Sequence, residues 1–138
     1  MTLSVTEMQH LVREGVPLAA AWGVEVLEAA DGAAVLRLPH REDLLRPGGT
    51  VSGPALMGLA DVAMWAALLS LTGGRDESLT ANLCITFLRP PAPGAVIAQA
   101  RVIRKGRSLS YGEVMLRPEG QSAPCAHVTT SWAAARRD

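Results

Sequence analysis

Asp61 is the residue of this chain best placed to do chemistry. It is the single charge between Arg46 and Arg75, inside the run VSGPALMGLADVAMWAALLSLT of residues 51–72. A carboxylate on an otherwise apolar segment is costly to bury, and desolvation raises its pKa. Carboxylates tuned in this way act on carbonyl chemistry as bases or nucleophiles. The plainer alternative is a structural carboxylate, bonded to backbone groups or to an Arg of a partner chain. Gly53 lies eight positions earlier, where the same run begins as a helix. Backbone N–H groups at a helix start lack intrahelical partners and carry the positive end of the dipole. They can polarise a carbonyl or hold an oxyanion, and a glycine lets a ligand come close. Eight residues span about 12 Å of helix axis. A thioester could lie between such a helix start and a carboxylate, and one chain need not supply both. An ordinary capped helix is the alternative reading of the helix start.

The elements that must position these groups are readable from the pattern. Residues 6–14 place Met8, Leu11 and Val12 at helical spacing, with Ser4 or Thr6 as cap. Residues 24–30 and 33–39 form a hairpin around Asp31-Gly32. Residues 40–52 are an irregular loop. The long helix starts near residue 53, with Ser52 as N-cap and Pro54 in the first turn, and ends at Gly73-Gly74. Four strands follow, over 79–89, 95–104, 108–117 and roughly 122–134. In the first, Leu79, Ala81, Leu83, Ile85 and Phe87 alternate with Thr80, Asn82, Cys84 and Thr86, a half-buried pattern. The whole is an α+β architecture, a long antiparallel sheet wrapped on one central buried helix, in a single domain over residues 1–138.

Three runs, RPGGTVSGPALMGLADVAM, LTANLCITFLRPPAPG and RVIRKGRSLSYGEVML, together resemble the hotdog-fold acyl-CoA thioesterases of the phenylacetate-degradation (PaaI-like) type. The resemblance covers nearly the whole chain. That family carries Asn-x-x-Gly-x-x-His-Gly-Gly, with an acidic residue eight positions after the first Gly of the closing pair. Gly49, Gly53 and Asp61 match. So do Phe87-Leu88-Arg89-Pro90 with Gly94 beyond, and the Gly106-Arg107 hairpin. Arg46, Ser52 and Pro54 depart from the usual Asn, His and second Gly.

The resemblance implies hydrolysis of an acyl-CoA to a free acid and coenzyme A. Asp61 would be base or nucleophile, and the Gly53 N–H would polarise the carbonyl. Arg46 and Ser52 stand at the substrate-orienting positions; Ser52 either donates to the carbonyl or only caps the helix. Asn82 would help orient water, or is a satisfied polar group on a strand face. Arg104 and Arg107 would take coenzyme A phosphates, with Arg107 the better placed; the bland reading of Arg104, Lys105 and Arg107 is a solvated charge run. Trp65, Met57 and Met64 would line an acyl pocket or simply pack the core. The site forms between two copies in that family, so a dimer or tetramer is expected. A second copy would cover the exposed apolar face of the long helix and the sheet edge.

Composition excludes much else. Lys plus Arg and Asp plus Glu are 13 each, so there is no basic excess for nucleic acid. Cys84 and Cys125 alone cannot build a disulfide framework or a four-cysteine zinc site, and a reduced, cytoplasmic setting is the simpler reading. No metal or redox cofactor is implied. Residues 51–72 approach membrane-span length, but a central Asp costs roughly 2.5–3.5 kcal/mol on insertion scales, and an Ala- and Gly-rich segment has little to offset it. His10, His40 and His127 form no ligand pair. A Ser52–His127–Asp61 triad remains open, without a Gly-x-Ser-x-Gly elbow to support it. The rival readings are a non-catalytic acyl-CoA or small-ligand binder on the same fold, and a hotdog dehydratase or hydratase.

Overall fold

The computed structural model describes residues 2–135. In chain order the elements are α1 (Val5–Gly15), α2 (Pro17–Trp22), β1 (Glu25–Ala30), β2 (Ala33–Leu38), a 3-10 turn (Glu42–Leu44), α3 (Gly53–Leu69), β3 (Leu79–Phe87), β4 (Val96–Lys105), β5 (Leu109–Pro118) and β6 (Ala126–Ala133). The six strands make one antiparallel sheet in the order β1-β2-β4-β5-β6-β3. The sheet curls around α3, which packs mainly on β2, β4 and β5. This is the α+β architecture that the sequence pattern predicts, and the hotdog fold that the resemblance implies.

Local chemistry sets the element ends. Ser4 and Glu7 form a reciprocal capping box at the start of α1. Asp31 and Gly32 both take positive φ, 52° and 82°, the geometry that closes a two-residue hairpin with the right twist. Ser52 caps α3. The regular part of α3 stops at Leu69, short of the predicted Gly73-Gly74; the chain then turns until the Gly74 N–H donates to the Leu69 carbonyl. β6 begins at Ala126, later than its predicted start.

The sheet meets α3 through alternate residues. Ala126, Val128, Thr130 and Trp132 of β6 and Ser110, Gly112, Val114 and Leu116 of β5 point at the helix and are buried. On the helix side, Leu56, Leu59, Met64, Leu68 and several alanines fill the space between. The other face of α3 is covered by the chain's own N-terminal helices. The Trp22 ring lies on Gly58, and the Trp65 ring lies against Gly15. This corrects the expectation that a second copy must cover an exposed apolar helix face: Met57 is the large apolar side chain of α3 left exposed.

The two edges of the sheet differ. Along β1, the Gln9 side-chain oxygen accepts from the Val26 N–H at 3.0 Å, and Arg13 Nε donates to the Val24 carbonyl at 3.0 Å. Side chains of α1 thus occupy edge groups that a foreign strand would need. β3 pairs with β6 alone, and its other side is open among the described residues. It is more exposed than its alternating pattern predicts: only Leu83 and Ile85 are half-buried, while Leu79 and Phe87 are exposed. No helix among the described residues is long and apolar enough to cross a membrane.

At Gly112 the sheet leaves no room for a side chain beside α3. A Cβ there would sit 2.6 Å from the Arg101 carbonyl oxygen and would collide with the end of Met64. Because one obstacle is backbone, relaxation is limited. Gly112→Ala is expected to lose about 1–3 kcal/mol of stability, measured by urea unfolding against the unchanged protein.

Candidate active site

Asp61 sits near the middle of α3, half-buried. Its Oδ1 accepts a hydrogen bond from Thr80 Oγ1 at 2.6 Å. None of the ion pairs among the described residues involves it. Burial pushes the carboxyl pKa above its ordinary value, and the Thr80 bond offsets that rise only in part. A carboxylate with no cation to neutralise it and one oxygen left open is suited to take a proton.

The sequence pattern does not single out Thr80 as the partner. Strict alternation puts it on one face with Asn82, Cys84 and Thr86. The register of β3 against β6 shifts between Thr80 and Asn82, where Ala81 is the extra residue of a β-bulge. Thr80 pairs with Trp132, whose side chain faces α3, whereas Asn82 pairs with Ser131 on the other face. One extra residue flips the parity, so Thr80 reaches Asp61 and Asn82 does not. Thr80, and not Asn82, is thus the β3 side chain bonded to Asp61. What β6 uses of Asn82 is its backbone, whose carbonyl accepts from Thr130 Oγ1.

At the start of α3 the free donors reduce to one. Pro54 has no N–H. The Ala55 N–H donates to Ser52 Oγ at 3.4 Å, and the Leu56 N–H donates to the Ser52 carbonyl at 3.1 Å. That leaves the Gly53 N–H as the unbonded amide of the first turn. Gly53 opens onto a cleft of about 440 Å³ lined also by Arg46, Leu56, Phe87, Arg89 and Pro91. A Cβ on Gly53 would come to 3.2 Å from the Phe87 ring, so the bare backbone keeps the approach open. Ser52 is the helix cap, as one of its two readings holds.

The remaining predicted residues scatter. Arg46 shares the cleft with Gly53. Asp61 does not line it, so within one protomer the two chemical groups stay apart. Trp65 is pinned as a packing residue: its ring lies on Gly15, and its indole N–H donates to the Asp76 carbonyl at 3.1 Å. Met64 is wholly buried against Gly112. Arg104, at the end of β4, and Arg107, in the turn after it, are exposed and lie outside the cleft. The Ser52–His127–Asp61 triad is not assembled. His127 lies on the outer sheet face, 3.1 Å from Glu113, and Arg101 together with His127 holds Glu113 below the usual carboxylate range.

Comparison with known proteins agrees with this geometry. Residues 48–125 match the model of the thioesterase superfamily. The chain belongs to that family. Over 91 residues it is 31% identical to "Putative esterase SSO2140" of Saccharolobus solfataricus, a match that covers 66% of this chain and just under two thirds, 64%, of that relative. A structure titled a "putative thioesterase" from Silicibacter is 32% identical and superposes with a TM-score of 0.87, covering 97% of this chain and 93% of that one. A point mutant of the phenylacetic acid degradation protein PaaI from Thermus thermophilus is 27% identical, with a TM-score of 0.76, over 87% of this chain and 100% of the other.

The raised Asp61 pKa has a consequence for stability. A carboxyl that holds its proton more tightly when folded favours folding in acid, and that advantage is lost as pH rises through the folded-state pKa. Asp61→Asn, which cannot ionise, is therefore expected to be more stable than the parent at neutral pH. The difference should shrink as pH falls through the raised pKa toward the ordinary carboxylate value, and urea midpoints at pH 7 and pH 4 measure it.

Proposed function

We propose that this protein hydrolyses acyl-CoA thioesters to a free acid and coenzyme A. The observation that carries the reading is Asp61: a half-buried carboxylate without a cation, its pKa raised, held by Thr80 through one oxygen. Membership of the thioesterase superfamily supplies the reaction class. Asp61 takes a proton from water as the water oxygen attacks the thioester carbonyl, or attacks that carbonyl itself to form a mixed anhydride that water then hydrolyses to the free acid. The Gly53 N–H donates to the oxygen that becomes negative. The carbon–sulfur bond then breaks, and the thiolate of coenzyme A leaves and takes up a proton. Arg104 and Arg107, which have no carboxylate partner among the described residues, suit the phosphates of coenzyme A.

The working unit in this reading is at least a dimer. Gly53 and Asp61 do not share a cleft in one protomer, and the β3 edge that carries Thr80 is the open one. A second copy docked along β3 would bring Gly53 of one chain toward Asp61 of the other. The same separation favours one competing reading, a non-catalytic acyl-CoA binder.

Thiol release from short, medium, long and aryl acyl-CoAs decides between them. The expected result is turnover that falls by roughly 100-fold or more in Asp61→Asn. Equal rates in both proteins would remove Asp61 from the reaction, and binding without release would favour the binder. The activity of the parent should rise with pH through a limb above the ordinary carboxylate range. Thr80→Val removes the bond that lowers the Asp61 pKa, so its limb should move to higher pH. Light scattering should show a dimer or larger; a fully active monomer would sink the shared-site arrangement.

A further inference from the structure

The cleft at the start of α3 carries more positive charge than a thioester carbonyl calls for. Arg46, from the loop before α3, and Arg89, from the segment after β3, both line it. Neither is in an ion pair among the described residues, whereas Arg37, Arg41 and Arg101 each hold a carboxylate. Arg75, Arg104 and Arg107 are also unpaired and exposed, but they lie outside this cleft. Two exposed arginines that line one partly apolar space place like charge beside it, and apolar wall strengthens their field there. The unbonded Gly53 N–H adds the positive helix end to the same space. Leu56, Phe87 and Pro91 supply apolar wall, and no acidic residue among the described residues lines the cleft. A concave site of one sign, with nothing of its own to balance it, is complementary to an anion.

We propose that this cleft receives a carboxylate carried by the acyl group, so that thioesters of dicarboxylic acids are the preferred substrates. The proposal rests on the thioester reading above. The planar fork of Arg matches the geometry of a carboxylate, and two forks can hold one from both sides. Its position favours the acyl chain as source over coenzyme A. The cleft begins at Gly53, where the thioester carbonyl is held, while the phosphates of coenzyme A lie at the far end of its pantetheine arm. Arg46 and Arg89 are then specificity-determining residues, and both are exposed enough to be replaced without opening the core.

The test compares glutaryl with valeryl thioesters, which have equal chain length and differ in the terminal carboxylate. Both are made on coenzyme A and on N-acetylcysteamine, which has no phosphate. The glutaryl thioester is expected to show the higher kcat/KM on both carriers. Arg46→Gln and Arg89→Gln should each lower the glutaryl-to-valeryl ratio by about tenfold, and Arg46→Lys should retain part of it. A ratio near one in the parent, or one unmoved by either variant, would overturn the proposal. So would variants that slow every coenzyme A thioester alike and spare the N-acetylcysteamine series, since the anion would then be a phosphate. Calorimetry with free glutarate, and with glutaramide as the control that has no carboxylate, separates this proposal from the activity itself. If no thioester is cleaved but glutarate binds, and binds more weakly to Arg46→Gln, the thioesterase reading fails and the carboxylate cleft stands. If glutarate does not bind and no thioester is cleaved, both fall.

Discussion

A helix with no polar face can be buried only if something surrounds it, and α3 carries one carboxylate that must not be stranded inside. That constraint organises the molecule. Most of the turn-by-turn surface of α3 is Ala, Leu, Val or Met and lies within the core. The curled sheet takes one side, and α1 and α2 take much of the other through Trp22 on Gly58 and Gly15 on Trp65. What they leave is the strip that bears Asp61. The carboxylate stays at the margin of the core, dry enough to have its pKa raised and wet enough to remain usable.

The margin is shaped by a defect in a strand. The bulge at Ala81 changes which side of β3 faces the helix, and so delivers a hydroxyl to Asp61 where regular pairing would have delivered a methyl group or nothing. The same strand is the open edge of the sheet. At the opposite end, Gln9 and Arg13 occupy edge groups of β1, so the molecule resists pairing there and permits it at β3. The edge left free is the one that carries the hydroxyl serving the carboxylate.

Charge placement separates structure from chemistry. Arg37 bridges Glu25 and Glu119, Arg41 pairs with Asp43, and Arg101 pairs with Glu113. These exposed pairs each contribute little to stability, but they leave the paired arginines with little free charge to offer a ligand. Arg46 and Arg89 are different because both line the cleft and neither is ion-paired among the described residues. His127 resembles a catalytic residue by type alone; its side-chain partner is Glu113 on the outer face, not Ser52 or Asp61.

The sequence by itself determined the order of helix and strands, the Asp31-Gly32 hairpin and the Ser52 cap, and it singled out Asp61 and Gly53, on which the proposed chemistry rests. Each depends on residue type and short spacing: a lone charge in an apolar run, a glycine at a helix start, a pair able to take positive φ. Tertiary structure decided the rest. Thr80 displaced Asn82 because a bulge changes strand parity, and alternation along one strand does not reveal how its partner is registered. Trp65 and Met64 became packing residues because Gly15 and Gly112 leave ring- and thioether-sized spaces that only the folded chain brings near them. Arg46 and Arg89 came to share one cleft across a long stretch of sequence. Short-range signals are written in the chain because neighbours act through the local backbone. Which distant side chains converge depends on how the sheet closes around α3, and that is settled by packing over the whole core.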